Sequence, residues 1–76
     1  MKVHYFGRLA EAAGVRSEEV AGAATVGALR AMLAGRVVGL GDAAKVRALV
    51  DDAFVGEEHR LDGVAEVGFL PPVSGG

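Results

Sequence analysis

The sequence has no cysteine, and this absence removes several kinds of chemistry from consideration. Disulfide bonds, thiolate nucleophiles and cysteine-ligated metal sites are all excluded. The chain also lacks an excess of basic residues, because its formal net charge is −2 at pH 7. Binding to nucleic acid requires a basic surface that neutralises phosphates, so the charge balance predicts no nucleic-acid partner.

Long apolar runs are missing as well. No stretch approaches the roughly 18 apolar residues that a membrane-spanning helix requires, so we expect no membrane span. The N-terminus shows no charged segment followed by an apolar one, so we expect no secretory signal and a cytoplasmic protein. The two histidines, His4 and His59, have no neighbouring carboxylates at a metal-ligand spacing, and we predict no metal site.

Apolar residues, in contrast, make up 51% of the 76 residues, which is enough for one small globular domain. Short apolar stretches bounded by glycine and polar residues predict strands at 2–6, 16–20, 46–51, 53–55 and 64–70. A short helical segment is predicted at 8–13. A main helix should begin at the N-cap Thr25 and end at Gly35, with Val26, Leu29 and Leu33 forming one apolar stripe. This order predicts an α+β fold in which a mixed sheet curls over one main helix.

The last six residues follow the final predicted strand directly and contain no large side chain. They are Pro71, Pro72, Val73, Ser74, Gly75 and Gly76. Two prolines fix two φ angles near −65° and remove two backbone donors, so the sheet cannot continue through them. We therefore predict a folded domain over 1–70 and a flexible C-terminal tail over 71–76, whose glycines would pass through a narrow channel.

The carboxylate at the end of this tail has a possible chemical use. An α-carboxyl group has a pKa of roughly 3.5, so it is an anion at neutral pH and can attack an activated phosphate. Attack on the α-phosphate of ATP would give an acyl-adenylate, whose carbonyl accepts sulfur, nitrogen or oxygen. A glycine pair alone would indicate only a frayed terminus. The two prolines and the adjoining apolar strand favour the functional interpretation.

The run from Phe69 to Gly76 resembles the C-terminal signature of the molybdopterin synthase small-subunit family. The segments 2–7 and 48–51 resemble the same family, so the similarity extends over nearly the whole chain. These proteins are sulfur carriers with the ubiquitin-like β-grasp fold. The resemblance implies that the first and last strands lie side by side and parallel at the centre of the sheet, with the tail leaving from a central strand.

The resemblance also implies a reaction cycle with Gly76 as the reacting residue. A partner adenylating enzyme would use ATP and magnesium to form the Gly76 acyl-adenylate, and a sulfur donor would convert it to a thiocarboxylate. The tail would then enter the large subunit, in an expected heterotetramer, and give its sulfur to cyclic pyranopterin monophosphate. We expect no cofactor bound by this chain and no catalytic side chain of its own, so whether it counts as an enzyme stays open.

Three apolar residues outside the predicted core are candidates for a partner-binding surface. In the resembling family, apolar residues at the positions of Phe6, Phe54 and Leu70 contact the large subunit. Strand parity directs Phe6 and Leu70 away from the helix-covered face, where they would form a patch beside the tail. The acidic pairs Asp51–Asp52 and Glu57–Glu58 are interpreted as solvated turns.

Other functions remain open at this point. A thiazole-forming sulfur carrier would share the fold and the terminal glycines, although it generally lacks the Phe-Leu-Pro-Pro run. A ubiquitin-like protein modifier would instead end with Gly76 in an isopeptide bond to a lysine. A plain interaction domain with an inert tail is a further alternative. The sulfur donor, the sharing of an activating enzyme and self-association are not determined by the sequence.

Overall fold

The computed structural model describes residues 1–72, which form five strands and two helices. In chain order these are β1 (Lys2–Tyr5), α1 (Arg8–Ala13), β2 (Ser17–Glu19), α2 (Val26–Ala34), β3 (Arg47–Val50), β4 (Ala53–Val55) and β5 (Glu66–Leu70). Each predicted element is present. β4 has the predicted bounds, and the other four strands are shorter than predicted by one or two residues, because the pairing of strands stops before the apolar pattern does.

All five strands belong to one sheet in the order β2-β1-β5-β3-β4. The central strand β5 runs parallel to β1 and antiparallel to β3, while β2 and β4 pair antiparallel at the two edges. This is the β-grasp arrangement, so the predicted fold class is confirmed. Because β5 is hydrogen-bonded on both sides, the segment that follows it starts from a firmly held position.

One face of the sheet is covered by α2. The strands contribute Val3, Tyr5, Ala48, Val67 and Phe69 to this side, and all five are buried. From α2, the predicted stripe of Val26, Leu29 and Leu33 is buried against them. Full burial of each such side chain contributes about 1.5–3 kcal/mol. The helix begins as predicted, because the Thr25 hydroxyl accepts a hydrogen bond of 3.1 Å from the Ala28 amide.

The segment between α2 and β3 is a series of turns that completes the core. Val37 and Leu40 are fully buried although neither lies in a regular element. The Val46 amide donates to the Asp42 carbonyl at 2.8 Å, which closes one helical turn before β3. Glycines in this stretch permit the turns, while the intervening apolar residues hold them against α2.

A buried arginine corrects one interpretation of the sequence. Arg30 on α2 is 5% exposed, and its guanidinium donates to both carboxylate oxygens of Glu57, at 2.7 and 2.8 Å, and to the Leu40 carbonyl at 2.8 Å. The prediction of a purely solvated turn is therefore wrong for Glu57, because its carboxylate is the partner of a buried cation. Its neighbour Glu58 is exposed.

Gly27, which is unfavourable within a helix by about 1 kcal/mol, is explained by the same contact region. Its amide donates to the Glu57 carbonyl oxygen at 2.8 Å, and a Cβ atom at Gly27 would lie 3.2 Å from that oxygen. The loop 56–65 thus approaches the start of α2 closely and accepts hydrogen bonds from its first amides. Neither helix of residues 1–72 has the length and apolar character needed to cross a membrane.

Candidate docking face and tail exit

The C-terminal stem leaves the sheet at the end of its central strand. β5 ends at Leu70, and the described chain continues through Pro71 and Pro72. Gly7 lies against this stem, because a Cβ atom at Gly7 would be 3.1 Å from Cγ of Pro71. Gly7 also has φ +56°, a conformation that residues with side chains rarely adopt. The turn after β1 and the direction of the stem therefore depend on the same glycine.

The face of the sheet opposite α2 carries an apolar patch that adjoins the stem. We define this docking face by Phe6, Leu49, Phe54 and Leu70. Phe6 and Phe54 are 45% and 49% exposed, and Leu49 and Leu70 are half-buried. Strand register explains their grouping, since Leu49 is paired with Phe54 and the Phe6 amide donates to the Phe69 carbonyl next to Leu70.

A glycine in β5 allows Phe6 to lie across the sheet. Gly68 is paired with His4 on one side and Leu49 on the other. A Cβ atom at Gly68 would lie 2.9 Å from Cε2 of Phe6 and 3.8 Å from Cβ of Leu49, so a side chain there would displace the ring. The absence of a side chain at Gly68 thus brings Phe6 toward Leu49 and makes the patch continuous.

An arginine covers the outer edge of the docking face. The Arg47 guanidinium carbon lies 3.9 Å from the centroid of the Phe54 ring, within the range of a cation–π interaction. Arg47 is paired with Leu70 across β3 and β5. Arg47 therefore joins the apolar patch to the end of the sheet from which the stem leaves.

Three of the surface depressions of residues 1–72 show which charged side chains surround this face. Two of them, of about 160 and 230 Å³, flank Pro71 and Pro72 and include Arg8, Lys45 and Arg47 in their walls. The third, of about 290 Å³, lies at the other end of the docking face. It is lined by His4, Phe6, Leu49, Asp51, Asp52, Glu66 and Gly68.

Within the third depression, the charged groups are held by the sheet and by a tight turn. His4 Nε2 lies 2.6 Å from Glu66 Oε1, across the pair of strands β1 and β5. Asp51 and Asp52 connect β3 to β4 with φ angles of 50° and 64°, in the left-handed region. Aspartate tolerates this region better than most residues, and the turn keeps both carboxylates exposed as predicted. Over residues 1–72, no cluster of His, Asp and Glu has a metal-binding arrangement.

A second polar network holds β1 and β2 together. The Tyr5 hydroxyl donates to Glu18 Oε2 at 2.6 Å, and Arg36 donates to the same oxygen at 2.8 Å. The hydrogen bond from Tyr5 and the nearby guanidinium hold the pKa of Glu18 below its ordinary value. Burial raises the pKa of Tyr5 well above its ordinary value. Since Tyr5 is in the core beside β5, we interpret this network as structural.

The structure brings together the three predicted partner-binding residues and places them beside the predicted stem. Phe6, Phe54 and Leu70 share the open face, and their function in binding stays a prediction. The predicted tail residues Val73, Ser74, Gly75 and Gly76, including the reacting carboxylate, lie outside the described residues.

Sequence reasoning missed Leu49, Gly68 and Gly7 as parts of this site. Strand parity could have found Leu49, because alternate residues of a strand face opposite sides and the more polar or small neighbours do not change that order. The sequence contains no comparable signal for the contacts of Gly68 with Phe6 and of Gly7 with Pro71, because both depend on strand register.

The comparison with protein families gives a match over nearly the entire chain. Residues 3–76 match the model of the ThiS family. Among curated proteins, no significant sequence match was found.

Several solved structures are similar to this one. Small archaeal modifier protein 1 from Methanosarcina acetivorans superposes with a TM-score of 0.77 at 29% identity, covering 99% of this chain and 94% of its own. A protein from Pyrococcus furiosus assigned as molybdopterin converting factor, subunit 1, gives 0.71 at 27% identity, covering 95% of each chain. A chain of the BexX/CysO complex from Amycolatopsis orientalis gives 0.73 at 25% identity, covering 99% and 98%.

Proposed function

This chain belongs to the ThiS family of ubiquitin-like sulfur carriers, and we propose that it carries sulfur on Gly76 as the small subunit of a molybdopterin synthase. The observation that supports this role is the junction of β5 with the stem. A central strand, held on both sides, continues directly into Pro71 and Pro72 beside an exposed apolar patch. Such a junction holds the start of the tail beside a surface suited to a partner.

In the proposed cycle, the partner enzymes supply the catalytic groups and this chain supplies the reacting carboxylate. A carboxylate oxygen of Gly76 attacks the α-phosphorus of ATP, and pyrophosphate leaves. Sulfide-level sulfur, supplied by the donor as hydrosulfide, then displaces AMP from the acyl-adenylate and leaves a thiocarboxylate. In the large subunit, the thiocarboxylate sulfur bonds to a carbon of cyclic pyranopterin monophosphate as an oxygen substituent leaves that carbon. Water then hydrolyses the acyl–sulfur bond and restores the carboxylate.

The finer assignment to molybdopterin synthesis is supported by two observations. The Phe69-Leu70-Pro71-Pro72 run resembles that of the small-subunit family, and one similar structure is assigned as molybdopterin converting factor, subunit 1. A thiazole-forming carrier is the nearest alternative with the same chemistry. The two are separated by the acceptor, which is a pyranopterin in one case and a thiazole precursor in the other.

Protein modification is a second candidate function, which is favoured by the similarity to small archaeal modifier protein 1. The first step would be the same adenylation, but a lysine amine would then displace AMP and form an isopeptide bond. The two functions therefore share the docking face and the tail and differ in the nucleophile.

Mass spectrometry of the chain from its own cells distinguishes these functions. A carrier shows a terminal mass change that corresponds to the replacement of one oxygen by sulfur, and this change requires ATP and the adenylating enzyme. A modifier is found with Gly76 linked to lysines of other proteins. Detection of neither product, with an active adenylating enzyme present, would leave an inert tail and contradict the proposal. Dithiolene formation with the large subunit then tests the molybdopterin assignment.

A further inference from the structure

The docking face has charges of opposite sign at its two ends. At the end where the stem leaves, Arg8, Lys45 and Arg47 surround Pro71 and Pro72. All three are exposed, and none of them forms an ion pair with another residue of the described chain, 1–72. One carboxylate, Asp42, lines the same region, and its Oδ1 accepts a hydrogen bond of 3.2 Å from the Ala44 amide. The balance at this end is therefore positive.

At the opposite end of the docking face the balance is negative, because three carboxylates outnumber the one lysine there, Lys2, which is in register with Glu66 across β1 and β5. Asp51, Asp52 and Glu66 line the depression there, and all three are exposed. Glu66 is paired with His4, whereas neither aspartate has an ion-pair partner within residues 1–72. The turn between β3 and β4 fixes both aspartates at the rim, so these charges do not depend on a mobile loop.

The two ends are far enough apart to be recognised separately. Glu66 and Leu70 are the first and last residues of β5, and four residue steps along a strand span about 13 Å. Screening at physiological ionic strength has a length of about 8 Å, so a partner's charge near one end interacts little with the other. Between the ends lies the apolar patch, which has no charge of its own apart from Arg47 at its edge.

From this arrangement we propose that the adenylating enzyme, as the partner that receives the tail, has a complementary, polarised surface. It presents carboxylates around the entrance of the channel that receives the tail, an apolar surface opposite Phe6, Leu49, Phe54 and Leu70, and arginine or lysine side chains opposite the Asp51–Asp52 turn. The charges determine the rotation of the chain about the axis of its tail, which an apolar patch alone does not specify. The inference rests on the proposed function, because a tail must enter a partner for its rotation to matter.

Polarity of this kind is expected to act mainly on the rate of association. Complementary charges steer the encounter and accelerate it strongly at low salt, whereas apolar contacts chiefly control dissociation. The overall charge of −2 would by itself disfavour approach of the chain to an acidic channel entrance. The local positive charge at the stem is what makes such an approach favourable.

Stopped-flow association with the adenylating enzyme, the partner that forms the acyl-adenylate in the proposed cycle, tests this proposal. The first variant combines Arg8→Glu and Lys45→Glu, which reverse two exposed charges and leave Arg47 on Phe54. The second combines Asp51→Asn and Asp52→Asn, because asparagine tolerates the left-handed conformation of that turn. Matched controls are Arg60→Glu and Glu58→Gln. Both residues belong to the loop 56–65, which precedes β5, and neither of them lines any of the three depressions.

We expect both double variants to associate at least about tenfold more slowly at low salt, with the difference shrinking as salt increases. The two controls should stay within about twofold of the wild-type rate. Unchanged rates for either double variant, or faster association after charge reversal at the stem, would contradict the proposed polarised surface of the partner.

The sulfur-carrier function is tested separately. If the rates contradict the polarised surface but the wild-type chain forms a thiocarboxylate, the sulfur-carrier function still stands. If it forms none and does not bind, both proposals fail together. Thermal unfolding of each variant identifies any loss of rate caused by misfolding.

Discussion

At the scale of single residues, Gly7 illustrates how one position serves both the fold and the site. Its φ of +56° forms the turn after β1, and its missing side chain leaves room for Pro71. Both requirements favour glycine for different reasons, one in the backbone and one in the packing of the stem. A substitution at this position is therefore expected to have consequences for stability and for tail direction.

We predict that Gly7→Ala lowers the free energy of unfolding by about 1–3 kcal/mol, because alanine in this conformation is strained and its methyl group meets Pro71. Gly56→Ala is the control, since a Cβ atom there meets nothing within 4 Å and the backbone is not left-handed. Denaturant unfolding of both variants measures the difference. Equal stabilities would show that the turn adapts without cost.

Tyr5 is the only tyrosine of the chain, and its contact with Glu18 gives a pH dependence that is directly measurable. The pKa of Glu18 is lowered in the folded state, chiefly by the hydrogen bond from Tyr5. The unfolded state therefore binds more protons below about pH 4.3, and stability is lost as the pH falls through the folded value. Tyr5→Phe removes that hydrogen bond, so we predict a smaller loss of stability in acid for this variant.

At high pH, the ionisation of Tyr5 itself lowers the stability of the wild type. The pKa of Tyr5 is raised by burial, so the unfolded state ionises first as the pH rises above about 10. Stability should decrease there for the wild type and remain level for Tyr5→Phe. Tyrosinate absorbance during unfolding in alkali reports the event. Identical acid and alkaline profiles for both proteins would contradict the structural function of this network.

At the scale of elements, Arg30 connects three parts of the fold that strand pairing does not join, namely α2, the turns before β3 and the loop 56–65. It extends from α2 to the Leu40 carbonyl and to Glu57, and its guanidinium carbon lies 5.4 Å from the centroid of Phe69. Phe69 belongs to the strand that ends in the stem. The buried guanidinium thus packs against the ring of Phe69 on the helix-covered face of β5, and its ion pair with Glu57 holds the loop 56–65 in place.

We predict that Glu57→Gln lowers the free energy of unfolding by about 2–3 kcal/mol, since the buried guanidinium then loses its charged partner. The neighbouring Glu58→Gln should change it by less than about 0.5 kcal/mol, because Glu58 is exposed and makes no ion pair among residues 1–72. The two residues are adjacent in the sequence, are both glutamates and receive the same substitution. Similar effects of both substitutions would mean that Arg30 finds compensation from Leu40 or water.

At the scale of the whole molecule, the docking face and the stem should act as a unit toward a partner. Phe6→Asp and Leu70→Asp place a charge in the middle of the patch, where burial on binding is costly. We predict that each weakens binding of the large subunit more than about tenfold while the fold is retained. Met32→Asp is the matched control, because Met32 is 48% exposed on α2, on the far side of the sheet.

Calorimetric titration with the large subunit measures these affinities, and circular dichroism confirms the fold. Unchanged affinity for both patch variants would remove the docking face from the proposal. An equal loss for Met32→Asp would indicate a general effect of added charge, since all three variants change the net charge by the same amount.

The length of the tail should matter for chemistry and little for stability. Deletion of Gly76, or addition of one residue, shifts the reacting carbonyl by roughly 3.3 Å, which is comparable to the near-attack distance of about 3–3.5 Å. We predict loss of sulfur transfer in both variants with an almost unchanged melting temperature. Thiocarboxylate formation and dithiolene production are the measurements. Sulfur transfer by the extended chain without cleavage would contradict the carrier function, and unfolding of the truncated chain would show that the tail is structural.

The sequence by itself determined the order of the elements and the identity of most core residues. Periodicity placed Val26, Leu29 and Leu33 on one helix face, and burial confirms these positions. These features are local, because they follow from the geometry of one element and from the tendency of apolar residues to leave water. The ends of the strands were less certain, since they depend on partners.

Tertiary structure alone decided the contacts between elements that are distant in the chain. Arg30 lies four residues after Val26, so helical spacing placed it on the buried face, but its partner Glu57 is 27 residues away. Gly68 and Gly7 acquire their significance only when β1 and β5 come into register and bring Phe6 and Pro71 against them. The opposite charges at the ends of the docking face likewise come from separate segments, because sheet pairing, and not sequence proximity, determines which charges share a surface.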